Sequence, residues 1–252
     1  MVPFPTPKRR RVYLMRHGAV TYFDETGRPV RSPEAVPLNE LGRSQTTAAG
    51  KIFAAENIVF DRVIVSGLPR TVETAQRVLA EMPAMQERAT THGLTLEQWP
   101  ELQEIRGGKL AEIPEHELAQ AFIGAFAGTV REDRRFLNGE SVGEFLDRVI
   151  PAIARLRALP DWDTVLLVLH GGTNRAILSH AITGGERVFY GSLAQTAGCI
   201  NVLDVGDEPG DWVLRMSNFS PPSPTHLGSR LTTMEVLLQE YLQHRQPARQ
   251  PA

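Results

Sequence analysis

Arg16-His17-Gly18 follows a short apolar run at residues 12–15, so a histidine flanked by an arginine sits where a buried strand would end. A neutral imidazole can attack phosphorus, and an adjacent guanidinium can hold the incoming phosphate by paired, charge-assisted hydrogen bonds. Gly18 would let the backbone approach a ligand closely. The tripeptide alone carries little weight, because a histidine after a strand is more often structural. Two other segments repeat the arrangement. Residues 63–65 lead into Ser66-Gly67-Leu68-Pro69-Arg70-Thr71, and residues 165–169 lead into His170-Gly171-Gly172. Arg70 falls in the first turn of a helix opened by Pro69, where free amides and the positive dipole end favour an anion. Taken singly, Arg70 reads as an exposed arginine on a surface helix. Three strand ends that all carry phosphate-compatible groups make coincidence a poor account.

The elements that must position these groups are legible from periodicity. Residues 12–15, 63–65 and 165–169 are continuous apolar runs, the pattern of strands covered on both faces in a parallel sheet. Each is followed, at varying distance, by a helical pattern. This alternation predicts an α/β fold, a three-layer sandwich around a central, mostly parallel sheet with an inserted helical subregion. In such sheets ligands bind beyond the carboxyl ends of the strands, where Arg16, His17 and His170 stand. Asn39 is placed to cap a helix running to about Ala55. Val72, Ala75, Val78, Leu79 and Met82 form the inner face of the helix after Pro69. Ser141 and Glu144 have capping-box spacing, and the apolar stripe beyond them contains Pro151, which predicts a kink or break. Residues 101–138 are irregular, with one helix expected at 115–127, and read as an insertion over the sheet edge that could carry specificity. Late strands are expected at 199–205 and 212–216, and a C-terminal helix at 232–244. The chain thus divides into a basic leader (1–10), a catalytic domain (11–219), and a Pro-containing segment, helix and tail (220–252).

Together these residues resemble the histidine phosphatase (phosphoglycerate mutase-like) superfamily. The resemblance spans roughly the first 205 residues. It rests on Arg16-His17-Gly18, residues 38–42, residues 66–75 around Arg70-Thr71, Glu104 with Gly108, Gly139-Glu140-Ser141, and His170-Gly171-Gly172. It implies that His17 is the phosphorylated nucleophile, that Arg16, Arg70 and His170 bind the phosphoryl group, and that Glu104 is the proton donor. His170, if protonated, would add a third cationic donor. Read without the family, Glu104 is a solvated loop carboxylate. The implied activity is metal-independent hydrolysis of a small phosphorylated metabolite. A phosphoglycerate mutase is the alternative, and a phosphate-binding or interaction module with weak turnover is the alternative from another class. Many similar proteins follow the histidine-glycine pair with Glu and then Ser or Thr, and mutases have an Asn a few residues on. Here Ala19, Val20 and Phe23 stand at those places, and Ala111 and Glu112 replace a Glu-Gly pair, which weakens the mutase reading.

Composition sets the remaining limits. The 252 residues are 42% hydrophobic and 22% charged, enough for a full core, and the formal net charge of -2 does not suggest a nucleic-acid binder. Any phosphate recognition must therefore come from local clusters. Cys199 is the single cysteine, which excludes an intrachain disulfide and a cysteine-built zinc site and makes a reducing cytoplasm the expected setting. No apolar stretch approaches a membrane span. Lys8, Arg9, Arg10 and Arg11 read as a solvated leader. His92, His116, His180, His226 and His244 lack ligand-like grouping, and Cys199 reads as a small buried hydrophobe. A homodimer is compatible with the sequence.

Overall fold

The computed structural model describes residues 8–23, 28, 30–228 and 230–245. In chain order the elements are β1 (Arg10–Arg16), α1 (Glu40–Ala55), β2 (Arg62–Val65), α2 (Pro69–Ala80), α3 (Pro83–His92), β3 (Leu96–Gln98), α4 (Leu118–Ile123) and β4 (Thr129–Val130). They continue with α5 (Val142–Ala158), β5 (Thr164–Leu169), α6 (Gly171–Ile182), β6 (Phe189–Tyr190), β7 (Ile200–Val205), β8 (Trp212–Phe219) and α7 (Thr233–Arg245). The main sheet has the order β3-β2-β5-β1-β7-β8. Its first four strands are parallel, while β7 runs antiparallel to β1 and β8 antiparallel to β7. Strands β4 and β6 form a separate antiparallel pair.

Both faces of the sheet are covered, which is why its strands read as unbroken apolar runs. Val12 and Leu14 of β1 and Val165, Leu167 and Leu169 of β5 face a core shared with α4, α5, α6 and α7. Tyr13 and Met15, with Leu166 and Val168, face a second core built with α1, α2 and α3. The predicted three-layer α/β sandwich is therefore present. The register sets Arg16 beside Leu169 and Val65 beside Val168, so three neighbouring strands end at nearly the same level. Whatever follows them in the chain converges at that rim.

The helix starts follow their sequence signals. Asn39 Oδ1 accepts the Gly42 N–H at 2.9 Å, and Pro69 opens α2 at a position where a missing N–H costs nothing. Ser141 Oγ accepts the Glu144 N–H at 3.1 Å while the Glu144 carboxylate accepts the Ser141 N–H at 2.7 Å. Helix α5 continues through Pro151, so of the expected kink or break the break does not occur. Pro151 and Asp147, whose carbonyl loses its intrahelical donor, both lie on the exposed face, while Phe145, Val149 and Leu156 keep the buried stripe. The helix expected at 115–127 is divided into a 3-10 turn at Glu115–Glu117, α4, and a second 3-10 turn at Gly124–Phe126. Gly124 weakens helix propagation at that junction. Residues 101–138 also do more than overlie an edge, because Leu102, Ile105, Phe122 and Phe126 enter the α5–α6 core.

The basic run is not simply solvated. Arg10 donates to the carbonyls of Leu159 and Arg157 at 2.6 Å each and stacks 4.2 Å over the Trp162 ring. Arg9 and Arg11 pair with Asp211 and Asp204, both at 2.7 Å. Residues 1–7 and 246–252 of the expected leader and tail lie outside the described residues.

The cap at the start of α5 provides a stability test. Ser141→Ala removes the hydroxyl that accepts the Glu144 amide and should cost about 1 kcal/mol. An unfolding midpoint in urea shifted by the corresponding amount, with an unchanged slope, is the expected result.

Candidate active site

His17 is fixed on both sides of its backbone. Its N–H donates to Leu169 O at 2.9 Å, and its carbonyl accepts the Gly198 N–H at 3.0 Å. The side chain is oriented by Nδ1, 2.7 Å from Gly18 O. A carbonyl can only accept, so Nδ1 carries the ring proton and Nε2 keeps its lone pair. His17 is only 2% exposed, and burial, then Arg70 and Arg16, hold its pKa well below the ordinary histidine value. The neutral imidazole required for attack is thus the resting form. A Cβ on Gly18 would lie 2.5 Å from Gly42 O, so the glycine lets the segment after β1 pass close to α1.

Arg16, Arg70 and His170 meet His17 at the same rim. The His17 and His170 rings lie 5.2 Å apart at 65°. Arg70 Nη1 donates to the carbonyls of Pro33 and Glu34 at 3.1 and 3.3 Å. Arg16 Nη1 donates to Gln195 O and, at 3.0 Å, to Thr233 Oγ1 of α7. None of these acceptors is charged. Among the described residues, the buried Nε atoms of Arg16 and Arg70 and the buried Nδ1 of His170 have no hydrogen-bond partner. His170 Nε2 lies 2.8 Å from Ser66 Oγ. Burial, then Arg70 and His17, keep the His170 pKa well below its ordinary value, so this ring is neutral and supplies one N–H rather than a cation.

Glu104 approaches from the inserted region. Its Oε2 accepts the Gly172 N–H at 2.9 Å and its Oε1 the Ile105 N–H at 3.0 Å, so the carboxylate lies at the N-terminus of α6 and is not a solvated loop group. The loop is held by Arg148, which donates to the carbonyls of Glu101, Gln103 and Glu104 at 2.8, 2.6 and 2.8 Å. Arg148 is held in turn by the Glu140 carboxylate at 2.9 Å, which also accepts the Arg106 N–H. The two glycines after His170 make room for side chains. A Cβ on Gly172 would collide with the Glu104 carboxylate, and one on Gly171 would lie 3.1 Å from Arg175 Nη1 and 3.5 Å from Arg16 Cζ.

Arg175 was missed in the sequence. It lies on α6, 5% exposed, with its Nε buried and unpartnered. The signal was an arginine inside the otherwise apolar and small run that follows His170-Gly171-Gly172. The secondary candidates behave as expected. Cys199 is fully buried, and burial raises its thiol pKa to about 11. His180 and His226 lie within hydrogen-bond distance of the carbonyls of Glu186 and Asn218, and His116 is exposed beside Glu117. The side chains of His92 and His244 lie outside the described residues. Among the described residues there is no group of three or more His, Cys, Asp or Glu side chains that could hold a metal ion. No described helix is long and apolar enough to cross a membrane.

A family model of the histidine phosphatase superfamily (branch 1) matches residues 12–219. The chain belongs to the histidine phosphatase superfamily. Among curated superfamily relatives, it is 30% identical over 162 residues to a protein of Salmonella paratyphi A described as "Probable phosphoglycerate mutase GpmB", covering 64% of this chain and 69% of that one. It is 25% identical over 173 residues to the chicken 6-phosphofructo-2-kinase/fructose-2,6-bisphosphatase, and that match covers 68% of this chain but 32% of the longer enzyme. Of solved structures, the α-ribazole phosphatase of Shigella flexneri superposes with a TM-score of 0.61 at 23% identity, covering 82% of this chain and 96% of that one. The mycobacterial glucosyl-3-phosphoglycerate phosphatase gives 0.59 at 22%, covering 84% and 99%. These last two likenesses concern the fold. Membership of the superfamily supports the expected histidine-type phosphoryl hydrolase.

The two buried neutral histidines make stability depend on pH. Their folded pKa values lie below 6.5, so on acidification the unfolded chain takes up protons first and the folded state loses stability as pH falls below about 6.5. The loss continues until the folded pKa values are reached. Urea midpoints measured between pH 7.5 and 5.5 should fall for the wild type, and His170→Gln should flatten that slope.

Proposed function

We propose that the chain is a metal-independent phosphatase that hydrolyses a small phosphomonoester through a phosphohistidine on His17. The observation that carries this reading is the pairing of a neutral His17, its Nδ1 proton fixed on Gly18 O, with unpartnered donor atoms on Arg16, Arg70 and His170. In the first step Nε2 attacks phosphorus in line with the ester oxygen. The P–N bond forms, the P–O bond breaks, and the leaving oxygen takes a proton from the Glu104 carboxyl. In the second step Glu104 takes a proton from water, whose oxygen attacks phosphorus and releases His17 and inorganic phosphate. Arg16 and Arg70 neutralise charge on the equatorial oxygens, which is most of what phosphoryl transfer asks of a protein. With Ser66 Oγ–H directed at Nε2 of His170, its Nδ1–H becomes a further donor to the same group.

Glu104 gives its proton to the leaving oxygen in the first step, and in the free site its two oxygens accept the N–H groups of Ile105 and Gly172. The mutase alternative draws on the relative from Salmonella. Against it, Phe23, standing where mutases have an Asn, is buried 6.3 Å from the Tyr241 ring. The phosphatases among the structural neighbours are named for α-ribazole phosphate and glucosyl-3-phosphoglycerate chemistry, which supports a small phosphorylated metabolite as the substrate class. The single cysteine supports a reducing cytoplasm as the setting.

Two experiments test the mechanism. His17→Ala should lower kcat by at least about a thousandfold and abolish an acid-labile phosphoenzyme trapped after rapid mixing, while wild-type activity survives chelator. Normal turnover in the variant would remove His17 from the chemistry. Glu104→Gln should slow hydrolysis of an alkyl phosphate by about 10²- to 10⁴-fold and that of an aryl phosphate far less, since a nitrophenolate departs with little proton assistance. Equal slowing of both would assign Glu104 a binding role.

A further inference from the structure

Two primary amides are buried in the core behind Arg16. Asn201 lies in β7 between Ile200 and Val202, and Gln195 stands in the loop that leads into that strand. Asn201 Nδ2 donates to Gln195 Oε1 at 3.0 Å, and Gln195 Nε2 donates back to Asn201 Oδ1 at 2.9 Å, which closes a pair. The outer partners leave this pair a single orientation. Asn201 Nδ2 also donates to Leu14 O at 2.9 Å, and a carbonyl can only accept. Asn201 Oδ1 accepts the Asn218 N–H at 2.8 Å, and that group can only donate. Gln195 Nε2 makes its second bond to Ala194 O at 2.7 Å, so both N–H groups of each amide are used.

The strand itself does not call for an amide at position 201. Ile200, Val202 and Leu203 are apolar and buried, and a valine at 201 would add to the core without needing hydrogen-bond partners. What the amides hold is the loop at residues 194–199, and this loop holds the site. Gln195 O accepts from Arg16 Nη1, Cys199 O accepts the Arg16 N–H at 3.0 Å, and the Gly198 N–H donates to His17 O at 3.0 Å. Asn218, at φ 53°, ties the same loop from β8, because its Oδ1 accepts the Thr196 N–H at 2.7 Å. No carboxylate bonds the Arg16 guanidinium among the described residues. Its direction is set by two neutral acceptors, Gln195 O and Thr233 Oγ1.

We propose that Gln195 and Asn201 are positioning residues for the phosphoryl site: their amide pair fixes the Gln195 carbonyl, and that carbonyl aims the Arg16 fork. This rests on the reading of Arg16 as a group that binds the phosphoryl oxygens. Neither amide is a catalytic residue, since both act through Arg16. Removing either one frees the loop and lets the guanidinium turn away from the anion.

Calorimetric titration of the full chain with inorganic phosphate reads the aim of Arg16 without turnover, so its outcome is independent of whether His17 is the nucleophile. Gln195→Met, which keeps the length and removes the amide, should weaken phosphate binding by about tenfold, the scale of one charge-assisted hydrogen bond. Asn201→Thr should weaken it by a similar factor. The double variant should lose no more than about twofold beyond either single one, because the two amides act as a unit. Urea midpoints measured in parallel separate this from a structural role. Lowered midpoints with unchanged phosphate affinity in the folded variants would overturn the proposal, and so would losses of affinity that multiply in the double variant. Asn201→Thr keeps a hydroxyl for the Asn218 N–H and retains the test if Gln195→Met does not fold. Either of those overturning results would leave the phosphatase reading standing. A wild type that binds no phosphate would instead overturn the phosphoryl-site reading, and this proposal with it.

Discussion

Three guanidinium groups, those of Arg16, Arg70 and Arg175, are buried at one rim of the sheet without an ion pair among the described residues. Much of the remaining architecture answers that constraint. An uncompensated buried ion costs several kcal/mol against a total stability of about 5–15 kcal/mol, so the cations must be held by parts that cannot relax away from one another. Parallel strands covered on both faces are such parts. Arg16 is on β1, whose backbone is bonded to β5 on one side and β7 on the other, and Arg70 is in the first turn of a helix tied to α1 by Glu73. Neutral carbonyls, rather than carboxylates, orient Arg16 and Arg70. Their charge meets no carboxylate among the described residues, and after burial it is a further cause that holds both histidine pKa values down.

The opposing wall is organised by an ion pair of the ordinary kind. Arg148 and Glu140, both largely buried, bond each other and then bond the backbone of residues 101–106, which delivers Glu104 to the first turn of α6. The pair has almost every donor and acceptor used, the condition under which a buried salt bridge specifies geometry. Each residue of Gly139-Glu140-Ser141 has a part in this wall. Gly139 packs against the backbone of Arg106 to Gly108, Glu140 anchors Arg148 and the loop, and Ser141 caps the helix that carries Arg148.

Much of this was legible in the sequence because the signals are local. Buried strands appear as apolar runs, helix starts as Asn39, Pro69 and Ser141, and strand-end chemistry as arginine and histidine at abrupt changes of polarity. What escaped depends on distance in space. Pro151 interrupts a periodic stripe, and only its placement on the solvent face shows that the helix continues. Helix α4 has the right apolar periodicity, yet Gly124 and the needs of a shared core divide it. Arg175 is one of many arginines in the sequence, and its lack of a hydrogen-bond or ion-pair partner among the described residues is a property of the packed site. The neutral state of His170 likewise follows from burial, and then from Arg70 and His17, brought near it from segments far apart in the chain.

Helix α7 ties the departures from the family pattern to the site. It lies outside the matched span of residues 12–219, and yet Thr233 at its start accepts a hydrogen bond from Arg16. Its buried side chains Met234, Leu238 and Tyr241 belong to the core that contains α4. Tyr241 lies 5.7 Å from the Phe122 ring and 6.3 Å from that of Phe23. Phe23 therefore has a structural use, because its ring packs beside Tyr241 of α7 in the same core. The chain that follows the matched span and Phe23 near the start of that span are two halves of one contact, joined through Tyr241, and the same helix meets Arg16 through Thr233.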